Sequence, residues 1–270
     1  MKVVNGGSDS RGPARQAMAV SVTIELLLAL VGAGFGLVIG SFGAALVGRW
    51  SAGRSMAGRS CCDGCGRTLG VVDLVPLLGF MLARGRCRQC GHRIDRALPL
   101  TELAAATIGG VALALQPGVD GAAAALFGWG LLILALFDAR SYWLPDRVTL
   151  PLLVAGLVAG LAGVAPDFMT RLIGAAAGYA ALALVAWGYR RLRGRDGLGG
   201  GDAKLFAAIG AWLGWAPLPW VLFGAAVLGI GWVAALQLRG RRWAATDRLP
   251  FGCTLAIAAY AAQIVSVAMR

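Results

Sequence analysis

The sequence predicts an all-α fold: a polytopic membrane helix bundle of about eight transmembrane helices, with a small cytoplasmic loop domain patterned like a zinc-binding module. Three observations predict it. The 270 residues are 58% hydrophobic and only 14% charged, with a mean hydropathy of +0.72. Uncharged runs long enough to span lipid recur along the whole chain. Lys and Arg alternate with those runs. Of the 25, nine fall in 49–97, two in 139–147, five in 190–204 and four in 239–248, and the intervening loops hold only Arg171. That alternation is the positive-inside pattern.

Met1–Ala17 is polar and lacks the short apolar core of a cleavable signal peptide. Residues 1–25 therefore read as an N-terminal tail and 26–48 as the first transmembrane helix. Residues 49–97 form a cytoplasmic four-cysteine loop domain, and 98–270 the transmembrane core. Within the core, the uncharged runs are Leu103–Val119, Gly121–Phe137, Val148–Pro166 and Leu172–Tyr189. Leu205–Leu238 is uncharged for 34 residues. As one helix it would reach about 50 Å, too long for a hydrocarbon core of roughly 30 Å. Ala216-Pro217-Leu218-Pro219 divides it into two, and Leu249–Met269 completes eight spans. Eight spans put all four Arg-rich loops on one side and both termini on the other. The 41 glycines sit often among Ala and Ser inside the spans, where small residues let helices pack closely in lipid.

The net charge of +12 does not indicate nucleic acid, because the basic residues are spread over four loops and form no single patch or stripe. Attraction to anionic lipid accounts for them. The partner set at this level is the lipid bilayer, with no nucleic acid; the sequence sets no oligomeric state.

Two aspartates mark the candidate chemistry. Asp138 ends one apolar run, in Leu136-Phe137-Asp138-Ala139-Arg140. Asp202 starts another, in Gly199-Gly200-Gly201-Asp202-Ala203-Lys204. Acids at membrane depth are costly and usually functional, and two carboxylates in one confined site can share a proton and activate water. The bland alternative is local ion pairing, Asp138 with Arg140 and Asp202 with Lys204. The glycine run, Gly199 and Gly201 included, suits a bent or unwound helix start where backbone passes close to a neighbour. Asp146 precedes a span, and there a carboxylate caps a helix N-terminus or positions substrate. Glu25 and Glu102 flank the first and second spans, and their default reading is interfacial placement or ion pairing with a basic neighbour.

Cys62-Asp63-Gly64-Cys65 and Cys87-Arg88-Gln89-Cys90 form two CxxC pairs with 21 residues between them. A cytoplasmic loop is reducing, so structural disulfides are disfavoured. The spacing is that of a four-cysteine zinc site, closed and structural. Cys61 and His92 are alternate ligands, and Cys253 reads as a packing residue. His92 is the only histidine, which argues against a Ser-His-Asp triad in the membrane. There is no HExxH and no P-loop. Among hydrolytic chemistries, carboxylates remain.

These motifs, in order, resemble the type IV prepilin peptidase (leader peptidase) family over roughly residues 36–258. Gly36-Leu37-Val38-Ile39-Gly40-Ser41-Phe42 resembles its first-span motif. The two CxxC pairs follow, then Pro99-Leu100-Thr101-Glu102-Leu103. Asp138 with Leu144-Pro145-Asp146-Arg147-Val148-Thr149-Leu150-Pro151 resembles its first aspartate motif. Gly199-Gly200-Gly201-Asp202-Ala203-Lys204 matches its GxGD motif, and Leu249-Pro250-Phe251-Gly252 its last-span signature. Four positions depart from the family pattern. Gly43-Ala44 stand where Leu-Asn is usual, Asp63 follows Cys62 in place of Pro, and Cys253 stands where Pro is usual.

The resemblance implies an aspartic endopeptidase of the plasma membrane that cuts the short leader from prepilins or pseudopilins at the cytoplasmic face. Asp138 and Asp202 carry over as the catalytic pair, with Asp146, Gly199, Gly201, Lys204 and Glu102 as motif or substrate-positioning residues. Many members also N-methylate the new N-terminus with S-adenosylmethionine, so that cofactor is implied beside structural zinc. Other readings are a GxGD peptidase with a different substrate, a zinc-bearing scaffold of pilus or secretion assembly, and a proton-coupled transporter using Asp138, Asp202 and Glu102 as a relay.

Overall fold

Lipid offers a backbone no hydrogen-bond partners, so an apolar chain of this composition must satisfy its N–H and C=O groups inside helices. A computed structural model describes residues 11–194, 197–240 and 249–269, with side chains from 22 onward. Among the described residues there are α-helices, two isolated β-bridges and no strand. Of the expected basic residues, Lys2, Arg195, Arg241, Arg242 and Arg248 lie outside the described residues.

The first helix, α1 (Arg11–Ser51), is helical well upstream of the uncharged run that begins at Leu26. The cysteine loop carries two short helices, α2 (Val71–Leu74) and α3 (Leu78–Leu82). Then follow α4 (Ala97–Leu115), α5 (Val119–Ser141), α6 (Asp146–Leu161), α7 (Phe168–Arg193), α8 (Gly200–Leu213), α9 (Leu218–Leu238) and α10 (Phe251–Ala268).

Six of these helices, α1, α4, α5, α7, α9 and α10, are long and apolar enough to cross a membrane, and the chain is a multi-pass membrane protein. Helices stand at all eight of the expected spans, α1 and α4 to α10, and six of them reach full spanning length. α6 and α8, at 16 and 14 residues, fall short of the length. For α8 the packing explains why: from Leu205 to Trp212 every residue is buried, so protein and not lipid surrounds it. The long run after Asp202 does break in two, at Gly214–Pro217 between α8 and α9.

Small residues set the helix spacing. A Cβ added at Gly36 of α1 would lie 2.2 Å from the Ala105 carbonyl oxygen of α4, and one at Gly210 of α8 would lie 2.1 Å from that of Gly174 on α7. Only hydrogen fits at such crossings. The main core gathers Phe127 and Leu131 of α5, Leu205, Phe206 and Ile209 of α8, and Leu255 of α10. Phe127 stacks on Trp212 with centroids 5.1 Å apart, and the Trp212 indole N–H donates to the Leu152 carbonyl.

Arg171, the lone base between the Arg-rich loops, is 1% exposed. Its guanidinium donates to the carbonyls of Gly156, Val164, Ala165, Pro166 and Ala211. A planar five-donor fork suits that cage as no other side chain does. It ties the ends of α6 and α8 to the start of α7, at the opposite end of α8 from Asp202.

Candidate active site

Asp138 stands in the last turn of α5 and Asp202 in the first turn of α8. They are only 6% and 8% exposed. The bundle brings them together: Asp202 lies within the Coulomb field of Asp138, and α10 packs against both α5 and α8.

The bases beside them in sequence point elsewhere. Arg140 pairs with Asp95 of the cysteine loop. Lys204 Nζ donates to both oxygens of Asp146 at 2.8 Å. The local pairings Asp138–Arg140 and Asp202–Lys204 are therefore not the ones formed. Asp146 opens α6, where its carboxylate takes Lys204 and makes no side-chain cap, so of its two expected roles the capping one is not formed.

The Asp138 carboxylate accepts the backbone N–H of Cys253 at 2.8 Å. Cys253 is the third residue of α10, so a helix N-terminus with its unpaired donors points at the acid. Gly252 permits the approach. A Cβ there would lie 3.0 Å from Asp138 Oδ2 and 3.1 Å from Leu144 Cδ1. Leu144, 7% exposed, is the wedge between the two walls, because a Cβ added at Gly201 would meet the Leu144 Cβ at 2.9 Å. Gly199 is the residue before α8, and its missing side chain leaves room for the Asp202 carboxylate. Sequence reasoning missed the roles of Cys253, Gly252 and Leu144. The signal was present as a Pro-Phe-Gly helix start and the Leu of Leu-Pro-Asp, but neither says which carboxylate it will face.

Glu102 is 2% exposed and accepts the N–H of Leu77 at 2.8 Å. Among the described residues no ion pair reaches it, so of the two expected readings, interfacial placement and pairing with a base, the pairing is not formed. It lies away from the dyad, between α4 and the cysteine loop.

The thiols of Cys62, Cys65, Cys87 and Cys90 all lie within 4.8 Å of one another. Cys62 and Cys90 sulfurs are 3.8 Å apart, and a tetrahedron with Zn–S of about 2.3 Å needs edges of about 3.8 Å. Backbone N–H groups of Cys90 and Gln89 pull the Cys87 thiol down to about 6. These four residues could hold a zinc ion; Cys61 and His92 stand outside the set. Around them, the Gly70 N–H and then the Arg67 guanidinium hold the Asp73 carboxyl below the usual range. A cavity of about 650 Å³ separates this loop from α1, α4 and α5.

A sequence model of the type IV leader peptidase family matches residues 125–234, which contain both aspartates. One of the bacterial Peptidase A24 N-terminal domain matches 35–116, which contain the four cysteines. The chain is 41% identical over 210 residues to a prepilin leader peptidase/N-methyltransferase of Aeromonas hydrophila, covering 77% of this chain and 72% of that one. The chain belongs to the type IV leader peptidase family. Other members it resembles carry the same name. One from Burkholderia pseudomallei (strain K96243) is 45% identical over 202 residues, 73% of this chain and 64% of the relative. One from Dickeya chrysanthemi is 38% identical over 214 residues, 77% and 74%. The match thus spans slightly less than two thirds of the Burkholderia relative's length. No solved structure matches this leader peptidase family member.

Proposed function

We propose that this chain is a membrane-embedded aspartic endopeptidase that removes the leader of type IV prepilins or pseudopilins. The observation that carries the reading is the pair of buried carboxylates, Asp138 and Asp202, brought from different helices into one field while their neighbouring bases are bound to other acids. Two carboxylates that meet in one confined site can share one proton and titrate as a unit. The ionised one takes a proton from water as its oxygen attacks the scissile carbonyl carbon. The protonated one gives its proton to the carbonyl oxygen. Collapse of the tetrahedral intermediate breaks the C–N bond: the amine leaves with a proton from one acid, and a diol hydroxyl returns its proton to the other, so that the dyad again holds one. Water attacks directly, so no covalent intermediate forms. The Lys/Arg alternation supports a plasma-membrane orientation with the dyad at the cytoplasmic face. The apolar start of the substrate helix would lie in lipid beside the bundle.

A second step, N-methylation of the new N-terminus, is supported by the relatives' name, prepilin leader peptidase/N-methyltransferase. S-adenosylmethionine would supply an electrophilic methyl group. The cavity under the cysteine loop is of the size that small-molecule sites have. Its apolar Leu74 and Leu98 and its mixed charges, Asp63 and Arg59 among them, suit a ligand with an aromatic base, an ammonium and a carboxylate. Zinc at the four thiolates would hold the loop shut over that cavity and take no part in hydrolysis.

The test is incubation of the liposome-reconstituted protein with a full-length prepilin, followed by mass mapping of the products. A single cut between leader and apolar helix, with a fraction of products heavier by one methyl when S-adenosylmethionine is added, is the expected result. An uncut substrate across several leaders sinks the peptidase reading.

A further inference from the structure

We propose that the α2–α3 elbow of the cysteine loop is a re-entrant membrane segment, docked on the apolar layer of the bilayer beside α4. The argument is one of depth, and it stands apart from the peptidase reading. Leu77, at the elbow's tip, donates its N–H to Glu102. Gly40 of α1 lies against that same residue, since an added Cβ would meet the Glu102 Cα at 2.7 Å. Further along α1, Gly43 faces Ile133 of α5. Both α1 and α5 pack antiparallel to α4: Gly32, Gly36 and Gly40 meet Gly109, Ala105 and Glu102, and Gly128 meets Ile108. So α1 and α5 run the same way, and Asp138 lies beyond Ile133 in the direction that Gly43 lies beyond Gly40. At 1.5 Å per residue, three residues of α1 and five of α5 set Glu102 and Leu77 roughly 12 Å deeper than Asp138. α4 itself rises only about 28 Å over its length, so all of it is needed for a hydrocarbon core of roughly 30 Å. The tip of the elbow is therefore below the membrane edge.

The elbow's surface fits that place. Leu78, Met81 and Leu82 are 54%, 68% and 62% exposed, as outward-facing as Leu100 and Leu103 on α4. In water such a patch would be a liability on so small a domain. Its backbone fits too, because irregular backbone at lipid depth must be satisfied within the protein. Pro76 has no N–H to satisfy. Leu77 adopts φ 58, in the left-handed region, and gives its N–H to the buried Glu102 carboxylate. Leu78, Gly79, Met81 and Ala83 donate to carbonyls of Pro76, Val75, Leu77 and Gly79. Arg84, Arg86 and Arg88 follow in the chain, the kind of basic flank that anionic headgroups attract. Glu102 is thus the acceptor that lets the chain turn inside the membrane, which explains an acid there without a base.

The test uses the unsubstituted protein in phosphatidylethanolamine–phosphatidylglycerol liposomes with a lipid-partitioned diazirine probe. After irradiation, peptides are mapped by mass. Labelling of the 71–83 peptide at a yield within about threefold of the α4 peptide, with none at 59–67, is the expected result. A second measurement places p-benzoyl-phenylalanine at Met81 or Leu82, with Leu100 as the lipid-facing reference, and looks for lipid adducts. An unlabelled elbow beside a labelled α4 overturns the proposal. So does cross-linking of position 81 to a second copy of the chain.

Discussion

The backbone N–H of Cys253 is bonded to Asp138 at 2.8 Å, which fastens the start of α10 to the carboxylate at the end of α5. Because the donor is main chain, the identity of residue 253 matters less than the closeness of the helix. Closeness depends on Gly252. Alanine there would put a methyl 3.0 Å from Asp138 Oδ2. Gly252→Ala should lower leader cleavage by about 10- to 100-fold, the cost of moving a reacting group by a fraction of an ångström. Cys253→Ala should stay within about twofold of wild type by the same reasoning. Steady-state kinetics beside thermal unfolding reads both, and full activity in Gly252→Ala would count against this clamp.

Lys204 and Asp146 form an exposed pair bridging the starts of α8 and α6. Such pairs contribute about 0–1 kcal/mol, so neither Lys204→Ala nor Asp146→Ala should move the melting temperature by more than about 3 °C. Each should reduce cleavage, because Lys204 lies two residues from Asp202. The double exchange Asp146→Lys with Lys204→Asp should recover most of the loss. Failure to recover would mean that the individual charges, and not their pairing, matter.

Arg171 should behave in the opposite way. Replacing it by Leu leaves five carbonyls without their donor, a loss of about 3 kcal/mol or more. Arg171→Lys should rescue only part of this, because an ammonium has three donors where the cage uses five. Thermal unfolding in detergent measures it, and a wild-type melting temperature for Arg171→Leu would refute the cage's structural role.

The sequence carried the helices well, because lipid makes long apolar runs unambiguous. The eight expected spans fall on α1 and α4 to α10, of which α6 and α8 are short, and α8 is apolar because its neighbours are protein. Asp138 and Asp202 were visible as misplaced charges, and Cys62, Cys65, Cys87 and Cys90 as a spacing. What stayed hidden were long-range partners. Nothing local says that Arg140 will choose Asp95, that Lys204 will choose Asp146, or that Glu102 will meet a backbone N–H at Leu77 instead of a base. Those choices are set by which helix ends meet, and helix packing in lipid is written in small residues that look alike along the whole chain.

The cysteine cluster should bind one zinc ion per chain. Chelation, or Cys62→Ser with Cys87→Ser, should release it and expose the 54–96 arginines to trypsin, since closed four-thiolate sites hold small loops folded. Leader cleavage should fall by no more than about threefold, because the metal is not a reactant at a closed site. Elemental analysis and limited proteolysis check this, and complete loss of cleavage on gentle chelation would place the metal nearer the chemistry.

The central claim is that Asp138 and Asp202 act as one unit, and replacing each acid by its amide tests it most directly. Cleavage of a reconstituted prepilin is compared among wild type, Asp138→Asn and Asp202→Asn, each shown to be folded by its melting curve. The account predicts that either change alone lowers cleavage by about 1,000-fold or more, and that combining them costs little extra, as for groups that act together. Wild-type cleavage by either folded single variant would contradict it.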